Sequence, residues 1–219
     1  MKKSLSKDEL KSLLNSPNHS VIFDLDNTIY NEEDFLSQVY FDIAKLSFYK
    51  NKDKLSKAHN WLIESLRLEG RGNLYQRYVK EFQLEDKLDL KDFLEIFIQK
   101  KRNLSCFPYF PKLASDINND LFLITNGNPI QQRLKVESLG IENYFKKIIY
   151  ANEFEKKPDL SSVNEVMKIC VNRNFIFIGD SIVDQQLATR AKSNFILVDM
   201  NEEKELNFYF KEAKDERVS

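Results

Sequence analysis

The run VIFDLDNT sets Asp24 and Asp26 two residues apart behind an apolar stretch, with Thr28 at the same interval. Carboxylates can attack an electrophile, move a proton or hold a hard cation. Two apart on a strand they face opposite ways, so both reach one crevice only if the chain leaves strand geometry there. Asp-x-Asp-x-Thr is equally a turn and helix-capping string. Thr125-Asn126-Gly127 closes a second apolar run just before a helix-length segment, where backbone N–H groups hold anions; a strand-ending Thr before a Gly turn is also ordinary structure. In EKKPD, Pro158 favours an extended Lys157, although Lys156 beside it offers the same charge and an exposed lysine is the plain alternative. Gly179-Asp180-Ser181 with Asp184 adds two more carboxylates, and helix capping by Ser181 accounts for that serine without function.

These residues need elements to position them. Short apolar runs at Val21–Asp26, Asp120–Asn126, Ile148–Asn152, Asn174–Asp180 and Asn194–Met200 read as strands buried on both faces, most of them ending in polar residues. Segments Pro129–Leu139, Leu160–Asn172 and Ile182–Lys192 carry apolar residues at three- and four-residue intervals and read as helices. Strand and helix therefore alternate, which predicts a Rossmann-like α/β fold: a parallel sheet with right-handed crossovers and helices on both faces. Ligands in such sheets bind beyond the carboxyl ends of the strands, so the polar strand ends face one crevice. Ser6–Asn15, with Ser6 and Glu9 in capping-box spacing, predicts one more helix covering the core.

Residues 32–104 break the rhythm. They hold no buried strand and read as helices separated near Lys50, Gly70–Asn73 and Leu84–Asp89, a small helical bundle inserted after the first strand. The domains expected are a catalytic core of residues 1–31 and 105–219 and a helical cap of residues 32–104. Phe35–Phe48 and Phe93–Lys101 are aromatic-rich at helical spacing, as in a bundle core. The charged end KEAKDERVS reads as solvated.

Composition excludes several classes. With 219 residues, 42% hydrophobic and 31% charged, the chain is neither disordered nor a disulfide scaffold. Lys plus Arg number 33 against 34 Asp plus Glu, so no global positive field attracts nucleic acid or anionic lipid. No stretch approaches the roughly 18 apolar residues of a membrane span. The N-terminal MKKSLSKDELKSLL meets acidic residues before any apolar run and lacks a signal-peptide core, so a cytoplasmic location is expected. Cys106 and Cys170 lack metal-site spacing and read as small buried apolar residues.

Taken together and in order, FDLDNT, LITNG, KKPD and GDSIVD resemble the four motifs of the haloacid dehalogenase superfamily of aspartate-nucleophile phosphohydrolases, from Val21 to about Val198. The insertion point of the helical segment is similar to that of members with a small helical cap. The resemblance implies that Asp24 is the nucleophile and forms an aspartyl-phosphate. It implies that Asp26 is the acid/base, which calls for a pKa raised towards the working pH. Mg2+ would be held by Asp24, the Asp26 backbone carbonyl and Asp180; Asp184 would orient the metal water or the lysine, and Thr28 would support the first loop. Thr125, Asn126 and Lys157 would hold the phosphoryl group. Dehalogenases of the superfamily lack an aspartate at the Asp26 position, which favours phosphoryl transfer. Many relatives carry a glycine shortly before the third-motif lysine, where this chain reads NEFEKKPD.

The substrate implied is a small phosphorylated metabolite, a sugar phosphate or nucleoside monophosphate, hydrolysed with Mg2+. Tyr30, Asn31 and Glu32, and Arg71 within Gly70-Arg71-Gly72-Asn73, are candidates for substrate contact; a plain interhelical turn is the alternative for the latter. His19, His59 and Trp61 read as structural. A phosphomutase or phosphotransferase would use the same Asp24 and Asp26, and a non-catalytic binding module is the rival from another class. Oligomeric state has no signature in the sequence.

Overall fold

The computed structural model describes residues 3–170, 174–200 and 206–211. Two compact units result, one of residues 1–31 and 105–219, the other of Glu32–Leu104.

In the first unit, β1 (Lys3–Ser4) and α1 (Lys7–Leu14) lead into β2 (His19–Phe23). Ser6 and Glu9 close the capping box at the start of α1, each satisfying a backbone N–H of the other. The helices of the second unit intervene: α2 (Glu32–Phe48), α3 (Lys52–Glu69), α4 (Leu74–Phe82) and α5 (Leu90–Glu95). The first unit resumes with α6 (Tyr109–Asp116), β3 (Leu121–Thr125), α7 (Pro129–Leu139), β4 (Lys147–Tyr150), α8 (Ser161–Met167), β5 (Asn174–Gly179), α9 (Ile182–Arg190), β6 (Asn194–Met200) and β7 (Leu206–Lys211). The predicted helix at 160–172 ends at Met167, and residues 171–173 lie outside the described residues. So does KEAKDERVS beyond Lys211.

Among the described residues one seven-stranded sheet runs in the order β1-β7-β6-β5-β2-β3-β4. The five strands read from the sequence pair in parallel, Val21 with Leu121 and Ile176 for example, while β7 joins β6 antiparallel and β1 joins β7 antiparallel. The sheet is therefore mixed at one edge, an extension the sequence reading does not contain.

Alternation along β2 shows how both faces are covered. Ile22 joins Phe122, Phe177, Val163 and Leu187, so α8 and α9 pack on its side. Phe23, one residue on, meets Phe110 of α6 edge-to-face at 5.6 Å and Phe145 at 6.2 Å on the other side. A central strand enclosed in this way reads as an unbroken apolar run. Cys106 and Cys170 depart from expectation: both are half-buried, and burial raises the Cys106 pKa to about 11.

The second unit is held by aromatic packing. Trp61 of α3 meets Tyr78 and Phe82 of α4 at 6.1 and 5.9 Å, and Phe48 of α2 meets Phe82 at 5.5 Å. The buried Tyr78 hydroxyl donates to Ser47 Oγ at 2.9 Å, satisfying the one polar atom on that ring. His59 and Ser37 share a hydrogen bond at 3.3 Å, and Phe41 packs edge-on to the imidazole.

Candidate active site

β2 lies at the point where connections switch direction, with β3 and β4 on one side and β5 and β6 on the other. Crevices form beyond the carboxyl ends of strands at such a point. Asp24, Thr125 and Asp180 sit at the carboxyl ends of the three adjacent strands β2, β3 and β5.

Past Phe23 the chain leaves strand geometry, as the spacing of the two carboxylates requires. Asp24 N–H still donates to Ile178 O at 2.8 Å, but Ile29 N–H turns back to Leu25 O at 3.0 Å and Asn27 takes a left-handed φ of 55°. Asp24 and Asp26 then lie close enough for each charge to act on the other.

Lys157 is buried and its ammonium is fully used: Nζ donates to Asp24 Oδ1 at 2.5 Å, Asp184 Oδ1 at 2.6 Å and Ile124 O at 3.1 Å. Lys156 is exposed, so geometry separates the two lysines. The Lys157–Pro158 peptide is cis. Asn126 fixes the backbone here, donating Nδ2 to Lys157 O at 3.2 Å while Oδ1 accepts from Lys157 N–H at 2.8 Å. Thr28 is buried; its Oγ1 approaches Asp24 Oδ2 at 3.5 Å and its carbonyl accepts from the Tyr109 hydroxyl.

Asp184 lies in the first turn of α9, where Ser181 and its carboxylate form a capping box. Gly179 permits this. A Cβ there would stand 2.7 Å from Asp184 Cγ.

Asp24, Asp180 and Asp184 each bring an oxygen to a group spanning no more than 4.8 Å. One ammonium among three carboxylates leaves negative charge uncompensated, and the titration behaviour reflects it. Burial, reinforced by Asp184, Asp180 and Asp26, raises the Asp24 carboxyl well above its ordinary range despite Lys157. Burial and then Asp184 push Asp180 to about 6. For Lys157 burial alone would favour the neutral amine, but Asp24 and Asp184 outweigh it and hold the ammonium. An oxygen-only donor set with surplus negative charge fits a hard divalent cation. Both Asp184 oxygens are engaged, by Lys157 and Ser181, as Asp24 Oδ1 is by Lys157.

Asp26 corrects an expectation. Burial would raise its pKa, but the Lys135 charge, with hydrogen bonds from Lys135, Tyr30 and Gln132, outweighs burial and lowers it. Lys135 Nζ and Tyr30 Oη donate to Oδ1 at 2.7 and 2.6 Å, and Gln132 Nε2 donates to Oδ2 at 2.9 Å. Sequence reasoning missed Gln132 and Lys135. Their one signal is three-residue spacing on a helix following Thr125. Tyr30, a candidate for substrate contact, is buried with its hydroxyl on Asp26.

Arg71, also a candidate for the substrate, pairs with Glu32 within the helical unit. Arg77 donates to Gly70 O at 2.7 Å and ties down the same turn. Among the described residues no helix is long and apolar enough to cross a membrane.

Residues 21–198 match the haloacid dehalogenase-like hydrolases. Among solved structures the fold is similar to a HAD phosphatase from Thermococcus onnurineus, at 21% identity over 84% of this chain and 87% of that one, TM-score 0.55. It is also similar to an L-2-haloacid dehalogenase from Xanthobacter autotrophicus, at 14% identity, 84% and 79% coverage and TM-score 0.56. A third is the HAD-hydrolase YfnB from Bacillus subtilis bound to magnesium, at 16% identity, 77% and 83% coverage and TM-score 0.53. No curated protein matches the sequence.

Proposed function

The chain belongs to the haloacid dehalogenase-like hydrolase family, and from that premise we propose that it hydrolyses a small phosphomonoester with Mg2+ through an aspartyl-phosphate on Asp24. The observation that carries this reading is the Asp24 carboxylate at the end of the central strand, 2.5 Å from a buried lysine and within an oxygen cluster suited to a hard cation. Mg2+, held by Asp24, Asp180 and the Asp26 carbonyl, would supply Lewis-acid neutralisation of the phosphoryl charge. In this reading residues 32–104 form the cap and select among sugar phosphates and nucleoside monophosphates.

Lys157 holds Asp24 Oδ1, which leaves Oδ2 for attack on phosphorus. As that P–O bond forms, the ester P–O bond breaks and the leaving oxygen takes a proton from Asp26. Water then attacks the phosphoryl group, the acyl-phosphate P–O bond breaks, and Asp26 receives the water's proton. Thr125, Asn126 and Lys157 would oppose phosphoryl charge that otherwise repels the incoming carboxylate, whereas the Gly127 N–H already donates to Asn152 Oδ1 at 2.9 Å. The aspartate at position 26 favours this chemistry over cleavage of a carbon–halogen bond, which needs no leaving-group acid.

Phosphate release from sugar phosphates, nucleoside monophosphates and small organic phosphates tests the reading, with and without Mg2+. Turnover should require the metal, and Asp24→Asn should abolish it while the protein stays folded. A folded, Mg2+-loaded wild type silent across all three classes, or an Asp24→Asn variant at wild-type rate, would sink it.

A further inference from the structure

Helix α7 buries two of its polar residues. Ile130 is 54% exposed, whereas Gln132 and Lys135 are 1% and 2% exposed. Burying an ammonium is costly unless the charge is paired and hydrogen-bonded, and a methionine or leucine would fill the same space without that cost. The pairing found here is specific: Lys135 reaches one oxygen of Asp26 and Gln132 the other, so the carboxylate is gripped from both sides. Tyr30 shares Oδ1, and its ring lies 5.9 Å from the Lys135 ammonium. Gln132 Nε2 also lies 2.7 Å from Thr125 Oγ1 and 2.6 Å from Asn126 O, so one amide links the Asp26 carboxylate to the loop after β3. That loop makes room for it. Gly127 has φ 123°, and a Cβ there would meet the Gln132 amide at 3.3 Å.

We propose that Lys135 is a positioning residue which, with Gln132 and Tyr30, fixes the plane of the Asp26 carboxylate so that its proton transfer is aimed at the leaving oxygen. The inference rests on the hydrolase reading above. Lys135 contacts the Asp26 carboxylate, its Nζ 2.7 Å from Oδ1. It acts by removing rotational freedom from Asp26, and proton transfer is steep in such geometry.

The test compares kcat/KM on p-nitrophenyl phosphate, whose leaving group departs without protonation, with that on phenyl phosphate, whose less acidic leaving group needs the proton. This parameter reports the ester-cleaving half alone. Lys135→Met should lower it about 100-fold for phenyl phosphate and less than about tenfold for p-nitrophenyl phosphate, the loss expected when general-acid assistance fails. Asp26→Asn should reproduce the same skew. Tyr30→Phe, which removes one donor and keeps the ring, should shift the ratio in the same direction by less, and it serves if Lys135→Met does not fold. A merely structural role would lower both substrates equally, alongside a fall in Tm. Equal losses, or an unchanged ratio in both variants, would overturn the inference while leaving the hydrolase reading intact. A wild type inactive on both aryl phosphates and on the wider panel would overturn that reading and this inference with it.

Discussion

Gly179→Ala is the sharpest probe of how the strand end and α9 are fitted together. The new methyl would stand 2.7 Å from both Cβ and Cγ of Asp184 and 2.8 Å from its Oδ2. Carbon atoms settle at about 3.5–4.0 Å, so the carboxylate must retreat by roughly 1 Å. Lys157 Nζ lies 2.6 Å from Asp184 Oδ1, and the same retreat carries that pair out of hydrogen-bonding range. Overpacking of this kind costs about 1–3 kcal/mol. Taking about 2 kcal/mol, the Tm of the unit carrying the sheet should fall by roughly 4–8 °C. Turnover should fall further, by about 100-fold, because the lysine beside Asp24 loses one of its fixed partners. Thermal unfolding by circular dichroism without divalent ions, paired with phosphate-release kinetics, reads both quantities. Gly72→Ala is the control, since a methyl there meets nothing within 4 Å. A Gly179→Ala protein with wild-type Tm and turnover would refute the argument that close approach of Asp184 excludes a side chain at this position.

Two further outcomes follow from the charge distribution. Mg2+ at about 100 times its dissociation constant should stabilise the protein by roughly 2.7 kcal/mol, and Asp180→Asn should remove most of that gain in a thermal shift measured with and without the ion; an undiminished shift would place the cation elsewhere. In the helical unit burial would raise the Asp42 pKa, but Arg102 and Lys100 outweigh it and hold the carboxyl below its ordinary value of 3.8. A depressed folded-state pKa contributes stability that is complete above the unfolded value and lost as pH falls through the folded one. Acid titration of the melt should therefore show a steeper decline below 3.8 in wild type than in Asp42→Asn, and parallel curves would contradict the pairing.

The five parallel strands were legible because each carries a short apolar run, unbroken where the strand is enclosed on both faces. The strand Leu206–Lys211 follows the acidic stretch NEEKE, and the edge strand Lys3–Ser4 is too short to show any period. Asp24, Thr125 and Asp180 stood out because each lies where an apolar run stops, and Lys157 and Asp184 because each lies a few residues beyond such an end. Lys135 did not, for the opposite reason. It sits inside a helix whose apolar Ile130 faces water, so periodicity assigns the lysine to solvent. A charge neutralised across a sequence separation of 109 residues leaves no local trace. The pairing of Arg71 with Glu32 was hidden in a related way, because the partner lies far off in sequence from the flanking glycines.

The reciprocal bonds between Asn126 and the Lys157 backbone imitate one rung of a sheet ladder between two loops. They locate the lysine through its main chain, independently of whatever its ammonium faces. An attached phosphoryl group would replace the Asp24 carboxylate with a larger, more negative partner. The lysine could then change partners by side-chain torsion alone, its anchor unmoved. Such a mount keeps the positive pole stationary while the negative pole is chemically rewritten and restored, so each turnover would begin from the same electrostatic frame without a loop having to refold.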